Sequence, residues 1–113
     1  ITMNILHLDK NHSLLIEQLQ ALGCDNSEDY TSDKETVMKK IHRYDGIVIR
    51  SRFKIDQDFI NKATRLKFIA RVGAGLESID TSYAASKNIH LIAELYYIML
   101  CRPAMFFPQD IFY

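Results

Sequence analysis

Short apolar runs rich in β-branched residues alternate along this chain with longer stretches whose apolar residues recur at helical spacing. That rhythm admits few folds, because a strand followed by a covering helix lies naturally parallel to the next strand. Asn4-Ile5-Leu6-His7-Leu8 reads as a first strand. Ser13 is placed to cap a helix that carries Leu15, Leu19 and Leu22 on one face, and Gly23 closes it. A polar second strand is expected from Asp25 to Tyr30. Ser32 and Glu35 have capping-box spacing ahead of Val37, Met38 and Ile41, and Asp45-Gly46 turns the chain into Ile47-Val48-Ile49, a strand apolar enough to be central.

Asp56 should then cap a helix bearing Phe59, Ile60 and Ala63, with Lys67 to Val72 as a fourth strand. A short helix from about Ser78 to Lys87, stopped by Asn88, leads to a fifth strand at Ile89 to Ala93. This order predicts an α/β fold: a flavodoxin-like, doubly wound parallel sheet of about five strands in three α/β/α layers. Ligands of such sheets bind outside the carboxyl ends of the strands, here Leu8-Asp9, Ile49-Arg50 and Val72-Gly73.

At 113 residues there is material for one domain. Fourteen Lys and Arg balance fourteen Asp and Glu, which removes the net field that would draw the chain to nucleic acid or an anionic membrane. Cys24 and Cys101 do not form a disulfide framework, and His7, His12, His42 and His90 show no metal-site spacing, so no metal is expected and the compartment expected is the reducing cytoplasm. No apolar run reaches the ~18 residues of a membrane span. His7 and His90 read as half-buried sheet residues rather than catalytic bases.

The segment from Arg71 to Asp80, Arg-Val-Gly-Ala-Gly-Leu-Glu-Ser-Ile-Asp, sets two glycines between a strand and a helix. Such a turn can present unhindered backbone N–H groups to an anion. A dinucleotide fingerprint is nearly reproduced by Gly73, Gly75 and a following acid at Glu94, but Ser78 stands where the third glycine belongs. A purely structural turn is the simplest alternative. A signalling receiver domain would share the fold, yet Arg50 occupies the place of the phosphoacceptor acid, and Asp9-Lys10 that of the paired acids.

The run Asp45 to Arg52, the run Asp58 to Ala63 and the span Leu66 to Asp80 together resemble the substrate-binding domain of the D-isomer-specific 2-hydroxyacid dehydrogenases, most nearly those acting on D-3-phosphoglycerate in serine biosynthesis. The resemblance covers nearly all of residues 3 to 93. It implies that Val72, Gly73, Ala74 and Gly75 present the loop whose amides take a substrate carboxylate. Arg50, Ser51 and Arg52 would stand on the same rim, the arginines suited to a second anionic group such as phosphate and Ser51 able to shape the loop. The ligand implied is a small anionic 2-hydroxy or 2-oxo acid.

The family also implies NAD, held by a nucleotide-binding domain that carries the catalytic arginine, glutamate and histidine. None of these is expected in this chain, so no catalytic or cofactor-binding residue is assigned and the chain reads as truncated and incompetent alone. Residues 1–93 are expected to form the substrate domain and 94–113 a divergent apolar tail. Six of those last twenty residues are aromatic (Tyr96, Tyr97, Phe106, Phe107, Phe112, Tyr113), and Pro103 and Pro108 lie among them. A non-catalytic binding module that forms a homodimer through this tail is the alternative function.

Overall fold

In the computed structural model, residues 2–11, 13–73 and 75–93 are described. The expectations placed on His12, Ala74, Glu94 and the aromatic tail lie outside them. Five parallel strands, β1 (Asn4–His7), β2 (Asp25–Glu28), β3 (Gly46–Ile49), β4 (Phe68–Arg71) and β5 (His90–Ile92), lie in the order β2-β1-β3-β4-β5. This is the flavodoxin-like order, and it follows from the residues. All four residues of β3 are buried and the strand is central, whereas the polar Asp-Asn-Ser-Glu of β2 sits at an edge, where one side meets solvent.

Among the described residues four α-helices, α1 (Ser13–Ala21), α2 (Lys34–Lys40), α3 (Gln57–Lys62) and α4 (Thr81–Ser86), complete the layers. Leu15 and Leu19 of α1 pack with Ile5, Val48, Phe68 and Ala70 on one face of the sheet. Val37 of α2, Phe59 and Ile60 of α3 and Ala84 of α4 pack with Leu6, Ile47, Ile49 and Ile69 on the other. The alternation of strand side chains between faces thus produces two separate cores.

Some local expectations shift. Leu22 is 50% exposed rather than part of the α1 stripe, because the helix ends at Ala21 and the chain swings away through Gly23 at φ +88°. The cap of α2 is Asp33, whose carboxylate accepts from Thr36 N at 2.8 Å; the Ser32 N–H is instead held by Asp29 at 3.0 Å. Gly46 is no turn residue but opens β3, where a Cβ would overlap the ring of its register partner Phe68. Helix α4 starts at Thr81, capped by Asp80, and not at Ser78. The intervening residues are drawn into a parallel bridge between Ile79 and Ile55. Among the described residues no helix is long and apolar enough to cross a membrane.

Candidate functional site

Three loops leave the carboxyl ends of neighbouring strands, with described residues 8–11 after β1, 50–54 after β3 and 72–73 and 75–78 after β4. Helices α1 and α3 pack on opposite faces, so the loops after β1 and β3 flank the point where the winding of the sheet reverses. The register sets Ile49 beside Arg71, and the Val72 N–H donates to the Ile49 carbonyl at 3.0 Å. Arg50 therefore leaves the sheet opposite Val72, the residue before Gly73, on the neighbouring strand. Beyond them the two loops rejoin, with Ile55 N–H donating to the Ser78 carbonyl at 2.8 Å and Asp80 N–H to the Ile55 carbonyl at 2.9 Å.

Gly73 and Gly75 have φ of +122° and +86°, backbone that a side chain disfavours. Gly73 is exposed, and among the described residues neither glycine N–H meets an acceptor. The Val72 amide, expected as a third donor, is occupied by the ladder to Ile49. Ala74 lies outside the described residues. Arg71, not singled out from the sequence, brings its guanidinium over the turn: Nη1 is 3.1 Å from where a Gly73 Cβ would stand. Its signal was its place as the last residue of the strand that feeds the glycines.

Arg50 is exposed on the rim, and its Nη2 donates to Asn11 Oδ1 at 2.9 Å. The carboxylate of Asp9 accepts from the Arg50 and Ser51 backbone amides at 2.6 and 3.2 Å. Asp9 and Asn11 were missed as site residues, although the end of the first strand was read as a ligand edge. Arg52 points away from the glycine turn. Its guanidinium donates to the carbonyls of Leu8 (2.9 Å), Asp29 and Ser32, and faces the Asp29 carboxylate at 4.0 Å. With three carbonyls as partners it ties the loop after β3 to those after β1 and β2, and the second anion-binding arginine expected from the sequence is a lacing residue here. Asp29 anchors this knot. Burial alone would raise its carboxyl, but the Lys40 ammonium and the amides of Ser32 and Thr31 outweigh burial and hold it far below the usual carboxylate range.

The turn does not fit a dinucleotide. A pyrophosphate site needs a helix N-terminus directly after the glycines, and α4 begins only at Thr81, after the Ile79 bridge. Nor do the described histidines supply a proton-transfer group at the rim. His7 is buried with Nε2 2.8 Å from Asn26 Oδ1, whereas His42 and His90 precede β3 and open β5, at the opposite end of the sheet. Among the described residues no group of three or more acids, histidines and cysteines stands close enough to hold a metal ion. A cleft of about 520 Å³ between α2 and α3 lies apart from this rim. Its Lys39 and Lys62 belong to last helical turns, where cations offset the helix dipole.

The model of the D-isomer specific 2-hydroxyacid dehydrogenase catalytic domain matches residues 5–97. The D-3-phosphoglycerate dehydrogenase of Methanocaldococcus jannaschii is 36% identical over 91 residues, 80% of this chain and 17% of that protein. The hydroxypyruvate reductase of Thermotoga maritima is 40% identical over 60 residues, 53% of this chain and 20% of its own length. Among solved structures, NAD+-bound 3-phosphoglycerate dehydrogenase from Entamoeba histolytica superimposes with a TM-score of 0.73 at 26% identity, covering 82% of this chain and 33% of that one. The chain therefore spans about a fifth of the length of these curated relatives. With a family match over most of its residues and the same sheet, the chain belongs to the D-isomer-specific 2-hydroxyacid dehydrogenases.

Proposed function

We propose that this chain forms the substrate-binding side of an NAD-dependent D-2-hydroxyacid dehydrogenase whose substrate is a small acid of the 3-phosphoglycerate kind. The observation that carries the reading is the pair of positive-φ glycines with free amides one strand away from Arg50, an arginine of the sheet's switch point. Backbone amides suit a planar carboxylate, and a guanidinium suits a phosphate. Gly73 and Gly75 take the carboxylate, Arg50 and Arg71 supply positive charge beside it, and Ser51 and Arg52 shape the rim.

Hydride transfer needs a nicotinamide and an acid/base, and this reading assigns neither to the rim. In this reading residues 1–93 bind and orient the acid, and turnover depends on a nucleotide-binding domain outside these 113 residues. Titration of the ¹⁵N-labelled chain tests it. D-Glycerate should shift the amides of Gly73, Gly75 and Arg50, D-3-phosphoglycerate should bind more tightly through Arg50, and NAD should shift none of them. Arg50→Ala should weaken the phosphorylated acid on the order of tenfold and D-glycerate far less. Shifts confined to residues away from the rim, or equal losses for both acids, would defeat the assignment.

A further inference from the structure

We infer that Asn11, seated by Asp9, positions the Arg50 guanidinium for the distal anionic group of the ligand and so sets the preference for acids with two anionic groups over acids with one. This rests on the rim taking an anionic acid, as proposed above.

The loops after β1 and β3 are neighbours only because the strand order reverses between them. Asp9 Oδ2 accepts from two successive amides, Arg50 at 2.6 Å and Ser51 at 3.2 Å, so a side chain on one loop sets the direction in which the other leaves the sheet. A carboxylate with two N–H donors is a firm anchor, since each bond is charge-assisted. Asn11 Nδ2 donates to the Asp9 carbonyl at 2.9 Å. That bond decides which end of the amide faces Arg50, and Oδ1 accepts from Arg50 Nη2 at 2.9 Å.

The chemistry of the partner matters. A guanidinium carries five N–H groups, and among the described residues Asn11 is the side chain that holds one of them. An amide oxygen fixes the fork without cancelling its charge, whereas a carboxylate there would compete with the ligand. The remaining N–H groups and the full positive charge stay available to a phosphate. An arginine otherwise free on the surface would lose rotamer freedom on binding; one already held loses less.

The test uses D-3-phosphoglycerate and D-glycerate, which differ by the phosphate alone, titrated into the 113-residue chain and its Asn11→Ala and Asn11→Asp variants. Asn11→Ala should weaken the phosphorylated acid about threefold, less than Arg50→Ala does, while D-glycerate binding stays as in the wild type. Asn11→Asp should abolish the preference by neutralising Arg50, although it still holds the fork. Equal weakening of both acids, or an unchanged ratio in both variants, would overturn the inference, and urea melting of each variant separates misfolding from either result. Relaxation of the Arg50 Nε–Hε group in the ligand-free chain tests the positioning separately. Order that survives Asn11→Ala would overturn it, and order lost there would support it. If the wild type bound neither acid, the rim would not be a substrate site and the ligand preference would fall with it.

Discussion

Replacing Gly73 with alanine isolates what the glycine turn does, provided Gly23→Ala is made beside it. Both glycines have positive φ, +122° and +88°, but a Cβ at Gly23 has nothing within 4 Å. Gly23→Ala therefore carries backbone strain alone, about 1–2 kcal/mol, offset by about 0.4–1 kcal/mol from a less flexible unfolded chain. The net is a loss of about 1 kcal/mol. At Gly73 the φ lies further from the small left-handed well, and the new Cβ would stand 3.1 Å from Arg71 Nη1, the end of a flexible side chain that can retreat. About 2 kcal/mol is expected there. With about 4–8 °C of melting temperature per kcal/mol in a domain of this size, thermal unfolding followed by circular dichroism should fall about 5 °C for Gly23→Ala and about 10 °C for Gly73→Ala. Binding separates the two further: D-glycerate affinity should drop on the order of tenfold with Gly73→Ala and remain as in the wild type with Gly23→Ala. Wild-type binding by Gly73→Ala would refute the role of the turn, and a larger stability loss at Gly23 would refute the strain reasoning.

Two further outcomes follow from the packing and the buried charges. Gly46→Ala would force a methyl into the fully buried Phe68 ring and should cost about 3 kcal/mol in urea unfolding, less when Phe68 is first changed to Leu; a loss under about 0.5 kcal/mol would contradict the close approach. Acid should weaken the fold in two stages. Burial lowers His7 against the opposing pull of Asn26 and Glu28, so below its ordinary value of 6.5 the unfolded chain takes up a proton that the folded chain resists, and stability falls. The stability supplied by the depressed Asp29 carboxyl is present above 3.8 and is lost progressively as pH falls below it. His7→Gln should remove the first stage and Asp29→Asn the second. A His7→Gln chain that tracks the wild type from pH 7 to 5 would sink the assignment of that stage.

The sheet was legible because its signals are local. The β-branched run of β3, the polar β2 and the cap at Asp56 each reflect residues a few positions apart. Errors arose where a partner distant in sequence decided the outcome. The Ser32-Glu35 spacing is a good capping box, but the Ser32 carbonyl is held by Arg52, twenty positions on, and Asp33 takes over the cap. Helix α4 gave up its first turn to the bridge with Ile55, twenty-four positions upstream. The rim divided in the same way. Its glycines declare themselves, whereas the contacts of Asp9 with Arg50 and of Asn11 with its guanidinium span 41 and 39 residues and leave no periodic trace. Arg50 and Arg52 differ by two positions and by which neighbouring carbonyls lie within reach, which composition cannot distinguish.

The loops after β3 and β4 are joined at both ends, by Val72 to Ile49 at the sheet and by Ile55 to Ser78 and Asp80 beyond it. They form a hoop whose far clasp, Ile55 and Ile79, is itself part of the hydrophobic core. The entropy of closing that hoop is met when the chain folds and not when an acid arrives. Association would then involve little ordering of backbone and should show a small heat-capacity change. It also couples the lengths of two loops distant in sequence: a residue inserted into one would bow it against the other, so tolerated insertions should come in matched pairs.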